Sequence, residues 1–218
     1  SIGIQLAKVG ALVMAGKKLK SLKINREVVP KYFAVKEAVL PFSKFPEVDV
    51  LLGPEMKSTG EVMGIGNSFG EAYFKAQRAA GVILPKTGNV FISVRDKDKE
   101  PVCDVAEELI KIGFNLFATR GTQVHLEKKG IKCERINKVK QGHPHIVDMI
   151  KNGNVHLIIN TTEGALSIKD SFSIRKEANN HNVCLTTTIS GAKAFCKAIL
   201  FIDNFDALDI QSRHSSIN

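Results

Sequence analysis

Apolar positions along the chain fall into two patterns that change near residue 80. From Ile2 to Leu19, Ile4, Leu6, Ala7, Val9, Ala11, Leu12 and Met14 recur at helical spacing, and Gly16 can close that helix. The stretch Tyr32 to Leu40, bounded by Pro30 and Pro41, mixes β-branched and aromatic residues and predicts an extended strand. Gly53-Pro54 and Thr59-Gly60 mark turns. A helix is predicted over 68–80, with Ser68 as N-cap and Glu71 completing a capping box. Gly64, Gly66 and Gly70 precede and open that helix, but their spacing is one residue too long for a dinucleotide fingerprint, so they read as a turn and helix entry.

Beyond Ala79 to Asn89, which breaks both periodicities with Gly81, Pro85 and Gly88, strands and helices alternate. Strands are predicted at 90–94, 115–118, 134–136, 155–160 and 183–186, and helices at 100–112, 122–129, 145–151, 169–179 and 191–199. This alternation predicts an α/β fold: a small doubly wound, five-stranded parallel sheet of Rossmann-like type. In such a sheet the ligand crevice lies beyond the carboxyl ends of the strands.

Candidate chemistry gathers at those ends. Phe117-Ala118-Thr119-Arg120-Gly121-Thr122 puts two hydroxyls and a helix start after a strand, which suits a phosphate. Lys99, Lys138, Asn160 and Thr162 each follow another strand and add cationic, amide and hydroxyl donors. A Walker-type loop is absent, as is a carboxylate pair placed to hold a metal at this edge, so the site reads as built for binding rather than phosphoryl transfer. His143-Pro144-His145 has no third ligand nearby in sequence and reads as a structural helix entry. Glu37 reads as a member of an alternating strand.

Composition narrows the partners. The 218 residues are 44% hydrophobic, with net charge +9 and a pI of about 9.4, which favours acidic partners. Lysines are interleaved with acids and Trp is absent, which argues against nucleic acid. No apolar run suits a membrane span, and Ser1 to Met14, interrupted by Gln5 and Lys8, is unlike a signal peptide, so a cytoplasmic location is expected. Cys103, Cys133, Cys184 and Cys196 are scattered and are expected to be free thiols.

The string Gly53-Pro54-Glu55-Met56-Lys57-Ser58-Thr59-Gly60-Glu61-Val62-Met63-Gly64 resembles the C-terminal part of the carbamoyl phosphate synthetase large-subunit family. So do Asn137-Lys138-Val139, Gly142-His143-Pro144-His145-Ile146 and Ile158-Ile159-Asn160-Thr161-Thr162. The resemblance covers nearly the whole chain. It implies that residues 1–83 are an α+β tail of the second ATP-grasp synthetic unit, 84–88 a linker, and 89–218 a methylglyoxal-synthase-like allosteric domain. It further implies a nucleotide monophosphate effector, UMP or in some members IMP, on Lys99, Thr119, Thr122, Lys138, Asn160 and Thr162. Ornithine would fall on Glu37 and Thr187.

The family makes carbamoyl phosphate for pyrimidine and arginine biosynthesis as an ATP-dependent ligase with Mg or Mn. Its implied partners are the rest of the large subunit and the glutaminase small subunit, with homo-oligomerisation left open. The chain holds no ATP-grasp body, so by itself it is expected to bind none of these cofactors and to be non-catalytic. Two departures stand out: Glu163-Gly164-Ala165-Leu166 where relatives often carry basic residues, and Leu185-Thr186 where some carry Tyr-Asp. The alternative reading is a methylglyoxal-synthase-like lyase acting on dihydroxyacetone phosphate. That chemistry needs an Asp where this chain has Gln141-Gly142-His143.

Overall fold

The structure is a computed structural model, and it describes residues 2–24, 26–45, 48–52, 56–205, 207 and 209–215. The Gly53-Pro54 turn lies outside the described residues.

Helix α1 spans Leu6–Met14, and Gly16, at φ +91°, donates to the Val13 carbonyl at its end. An apolar face at helical spacing ordinarily packs, yet none of the residues of α1 is buried. Strand β1, Phe33–Val39, pairs antiparallel with β2, Gly60–Gly66. Helix α2, Phe69–Ala79, lies across this hairpin. Here the glycines do something other than turn the chain. Gly64 and Gly66 sit inside β2 on one face, and a Cβ at Gly64 would stand 1.9 Å from the Ala72 carbonyl oxygen and 2.5 Å from the Ala76 nitrogen. Alternate glycines facing buried alanines therefore let strand and helix backbones approach without side chains between them. Gly70 repeats the device toward the Lys197 carbonyl.

Ser68 caps α2 by accepting from the Glu71 N–H, as expected, while the Glu71 carboxylate accepts from Asn67 rather than from Ser68. The reciprocal half of the box is displaced by one residue.

The second sheet contains β3 (Gly88–Ser93), β4 (Phe114–Ala118), β5 (Glu134–Arg135), β6 (Leu157–Asn160) and β7 (Cys184–Thr186). All are parallel, in the order β5-β4-β3-β6-β7. The intervening helices are α3 (Lys99–Ile112), α4 (Arg120–Lys128), α5 (Ile146–Lys151), α6 (Ala165–Asn180) and α7 (Ile189–Ile199), and α8 (Ile210–Ser215) follows. Helix α6 begins four residues before the expected Lys169, and α8 had no counterpart in the periodicity.

Both faces of the central strands are covered, which is why β3 and β6 read as near-continuous apolar runs. Val90, Ile92, Leu157 and Ile159 point to one core with α3, α4 and α7, while Phe91 and Ile158 point to the other with α5 and α6. Phe74 of α2 and Leu84 share the first of these cores. The chain order reverses between β3 and β6, so the crevice at their carboxyl ends is the topological switch point.

Candidate effector site

At that crevice Ser93, the last residue of β3, is in register with Asn160, the last of β6. The Ser93 hydroxyl lies 3.2 Å from that of Thr119, which follows β4. Thr122 accepts from the Val94 N–H at 3.3 Å, leaving its own proton free to donate. Thr161 accepts from the Arg95 N–H at 3.1 Å. Thr119, Thr122, Asn160 and Thr161 are at most 5% exposed. Four hydroxyls and an amide thus gather at the carboxyl ends of β3, β4 and β6 and form the floor of the crevice that this topology predicts there.

Helix α4 opens on this floor, with Thr119 as its extended N-cap. The helix starts at Arg120 rather than at the expected Thr122, so Gly121 sits in its first turn instead of in a preceding loop. The first-turn N–H groups have no intrahelical partner and carry the positive end of the helix dipole. Gly121 keeps that turn open: the Lys99 Nζ lies 3.6 Å from where its Cβ would be. The ammonium and the helix start therefore face one point from two elements.

Cations crowd this edge, and three of them have an acid beside them. Lys99 pairs with Asp96 at 2.7 Å, Arg95 with Asp98 at 2.6 Å and Lys97 with Glu163 at 2.7 Å. The Lys99 hydrogen bond, then its charge, hold the Asp96 carboxyl below its ordinary range. Asp96 is almost fully exposed, so an incoming anion can take Lys99 from it while water takes up the carboxylate. A hard divalent cation needs carboxylate oxygens without a rival partner, and these acids are already paired. The set fits an anion.

Lys138 and Thr162 stand at the same edge without being drawn into the floor. Lys138 follows β5, is exposed, and has its N–H bonded to the Gln141 side chain; Thr162 follows Thr161 and is half-buried. Ser93 is the residue that sequence reasoning missed. Its only signal was its place at a strand end.

His143 and His145 do form a helix entry. The His145 ring accepts from the Asp148 N–H at 3.3 Å, and the Asp148 carboxylate accepts from the His145 N–H at 2.9 Å. Asp148 is, however, the third donor that the sequence reading had not found, since ligand atoms of His143, His145 and Asp148 lie within 4.8 Å of one another. A metal there would break the cap of a six-residue helix.

Glu37 lies on β1 opposite Val62. Burial, partly offset by a hydrogen bond from Gln77 of α2, raises its carboxyl above the ordinary range. Tyr73 of α2 is pushed up to about 12 by burial first, and then by the nearby Glu37 and Cys184. Cys184 opens β7, which ends just before Thr187, while β1, the strand of Glu37, packs on α2. A groove of about 440 Å³ beside α1 is lined by Ile4, Val9, Leu12 and Ile24 and lies apart from all these groups.

The five-stranded parallel sheet is an α/β architecture, and the MGS-like domain family matches residues 101–187. Carbamoyl phosphate synthase large chains match over nearly all of the chain. The protein from Pseudomonas putida is 54% identical over 99% of it, and that from Xanthomonas axonopodis pv. citri 50% identical over 100%. The chain spans about a fifth (20%) of the length of these relatives. Among solved structures, methylglyoxal synthase from Elizabethkingia anophelis covers 60% of this chain and 91% of its own at 17% identity, with a TM-score of 0.42. The chain is therefore homologous to a segment of the carbamoyl phosphate synthase large chain and carries an MGS-like domain. Among the described residues no helix is long and apolar enough to cross a membrane.

Proposed function

We propose that this chain is the regulatory segment of a glutamine-hydrolysing carbamoyl phosphate synthase large chain, and that it binds a nucleotide monophosphate, UMP or IMP, at the β3/β6 crevice. The observation that carries the reading is the meeting of the Lys99 ammonium with the open first turn of α4 over a floor of Ser93, Thr119, Thr122 and Asn160. A phosphate dianion would satisfy the helix N–H groups, the Lys99 charge and the hydroxyl protons together. Lys138 and Thr162, at the same edge, would close over it.

Residues 89–218 would form the effector domain, joined through 84–88 to residues 1–83, which belong with the synthetic unit. Glu37 and Thr187 would contact ornithine, whose amine suits a carboxylate. ATP, Mg or Mn, the glutaminase subunit and the ligase chemistry of pyrimidine and arginine synthesis belong to the rest of the large chain and its assembly in the cytoplasm. An effector regulates only by binding one arrangement of that unit better than another.

Calorimetry with UMP and IMP tests the reading. Saturable binding is expected, with Thr122→Val and Lys138→Ala each weakening it by about 1–3 kcal/mol, the range for a hydrogen bond to a charged group. No heat with either nucleotide at millimolar concentration, or unchanged affinity in both variants, contradicts it.

A further inference from the structure

A polar stripe runs along α6 from the crevice to the N-terminal segment. Ser171, Arg175 and Asn179 are spaced four residues apart and so share one helix face. At one end the Asn160 amide nitrogen lies 3.4 Å from both the Ser171 hydroxyl and the Ser93 carbonyl. In the middle Arg175, fully buried, grips Asp49 with two nitrogens, at 2.7 and 2.5 Å, and gives a further bond to the Ile168 carbonyl at 2.9 Å. At the other end the Asn179 amide donates to the Phe42 carbonyl at 3.0 Å. Asp49 and Phe42 belong to the loop between β1 and β2, more than 120 residues away in sequence.

Two groups in this stripe have unused capacity. The Asn160 Oδ1 and the Arg175 NH1 are buried without a hydrogen-bond partner. A primary amide has two N–H protons, and both of Asn160's point to acceptors at long range. If the crevice holds a phosphate, three acceptors compete for those two protons, and the neutral hydroxyl of Ser171 is the weakest of them. A buried polar group left unpaired is costly and the members of such a network are coupled, so a new partner at one member shifts the bonds of the others.

Resting on the nucleotide reading above, we propose that α6 is the relay that reports occupancy of the crevice to the synthetic unit. Phosphate binding withdraws the Asn160 amide from Ser171, α6 resettles by one hydrogen bond, and the Arg175–Asp49 and Asn179–Phe42 grips carry the change into the 40–52 loop. Ser171 is thus a positioning residue, and Arg175 and Asn179 are the coupling contacts.

Hydrogen exchange on the full chain with saturating UMP, or IMP where UMP gives no heat, tests this, with affinity measured in parallel by calorimetry. Exchange in peptides covering 40–45 and 48–52 is expected to change by at least about fivefold, the lower end of allosteric coupling. The distal change should persist in Ser171→Thr, which keeps the hydroxyl, and vanish in Ser171→Ala. Nucleotide binding with no distal change in the wild type overturns the relay alone, as does a distal change that survives in Ser171→Ala. Absence of binding overturns the nucleotide reading and the relay with it.

Discussion

Replacing Asp49 by Asn removes the carboxylate charge that the Arg175 guanidinium meets among the described residues. Arg175 is 0% exposed and holds Asp49 bidentately, so the variant leaves a buried cation facing a neutral amide. Breaking a buried pair from one side costs about 3–5 kcal/mol, and because the Asp49 side chain is 25% exposed we expect the lower end, about 3 kcal/mol. In a domain of this size that is a fall in Tm of roughly 6–12 °C, or a proportionate drop in the urea midpoint at unchanged slope. Removing both partners, Asp49→Leu with Arg175→Met, should recover at least half of the loss, since the cost lies in the orphaned charge rather than in the missing bond.

The pH dependence follows with a definite sign. Burial is the largest influence on Asp49 and raises its carboxyl, but the Arg175 bonds, the Leu51 N–H and the Arg175 charge together bring it below the ordinary range. A depressed carboxylate contributes stability that is present above the unfolded-state value of about 3.9 and lost as pH falls through the folded one. The wild type should therefore lose stability below about pH 4 more steeply than Asp49→Asn. A single variant within about 0.5 kcal/mol of wild type, or a double variant no better than the single, refutes the account of this pair.

Two further outcomes are expected. Gly64→Ala forces a Cβ onto the α2 backbone 1.9 Å away, where no side chain can yield, and should cost about 3 kcal/mol or more by urea denaturation; an unchanged midpoint would show that β2 and α2 do not pack as described. Burial pushes the thiols of Cys133, Cys184 and Cys196 up to about 12, so they should react with a thiol reagent at pH 8 only after denaturation, and rapid labelling of any of them in the native chain would contradict their burial.

The parallel sheet was legible because its strands are buried on both faces and separated by helices with clear apolar stripes; Leu157-Ile158-Ile159 admits little else. That Thr119, Thr122 and Asn160 come together was legible from their strand ends, since a parallel sheet brings all of these to one edge. Gly64 and Gly66 were misread because a glycine that turns a chain and one that admits a helix look the same until the partner is placed. The Arg175–Asp49 pair was invisible for a related reason: the two are 126 residues apart, and an arginine in mid-helix is ordinarily solvated. The unburied face of α1 shows the opposite limit, as helical periodicity states which side is apolar and not what covers it.

The central claim is that a nucleotide phosphate sits between Lys99 and the first turn of α4. Backbone amide shifts followed by NMR during a UMP titration address it directly. The account predicts that the largest saturable shifts fall on residues 119–122 and 160–162, with inorganic phosphate reproducing those at 120–122. Saturable shifts centred elsewhere, with residues 119–122 unmoved, would contradict it.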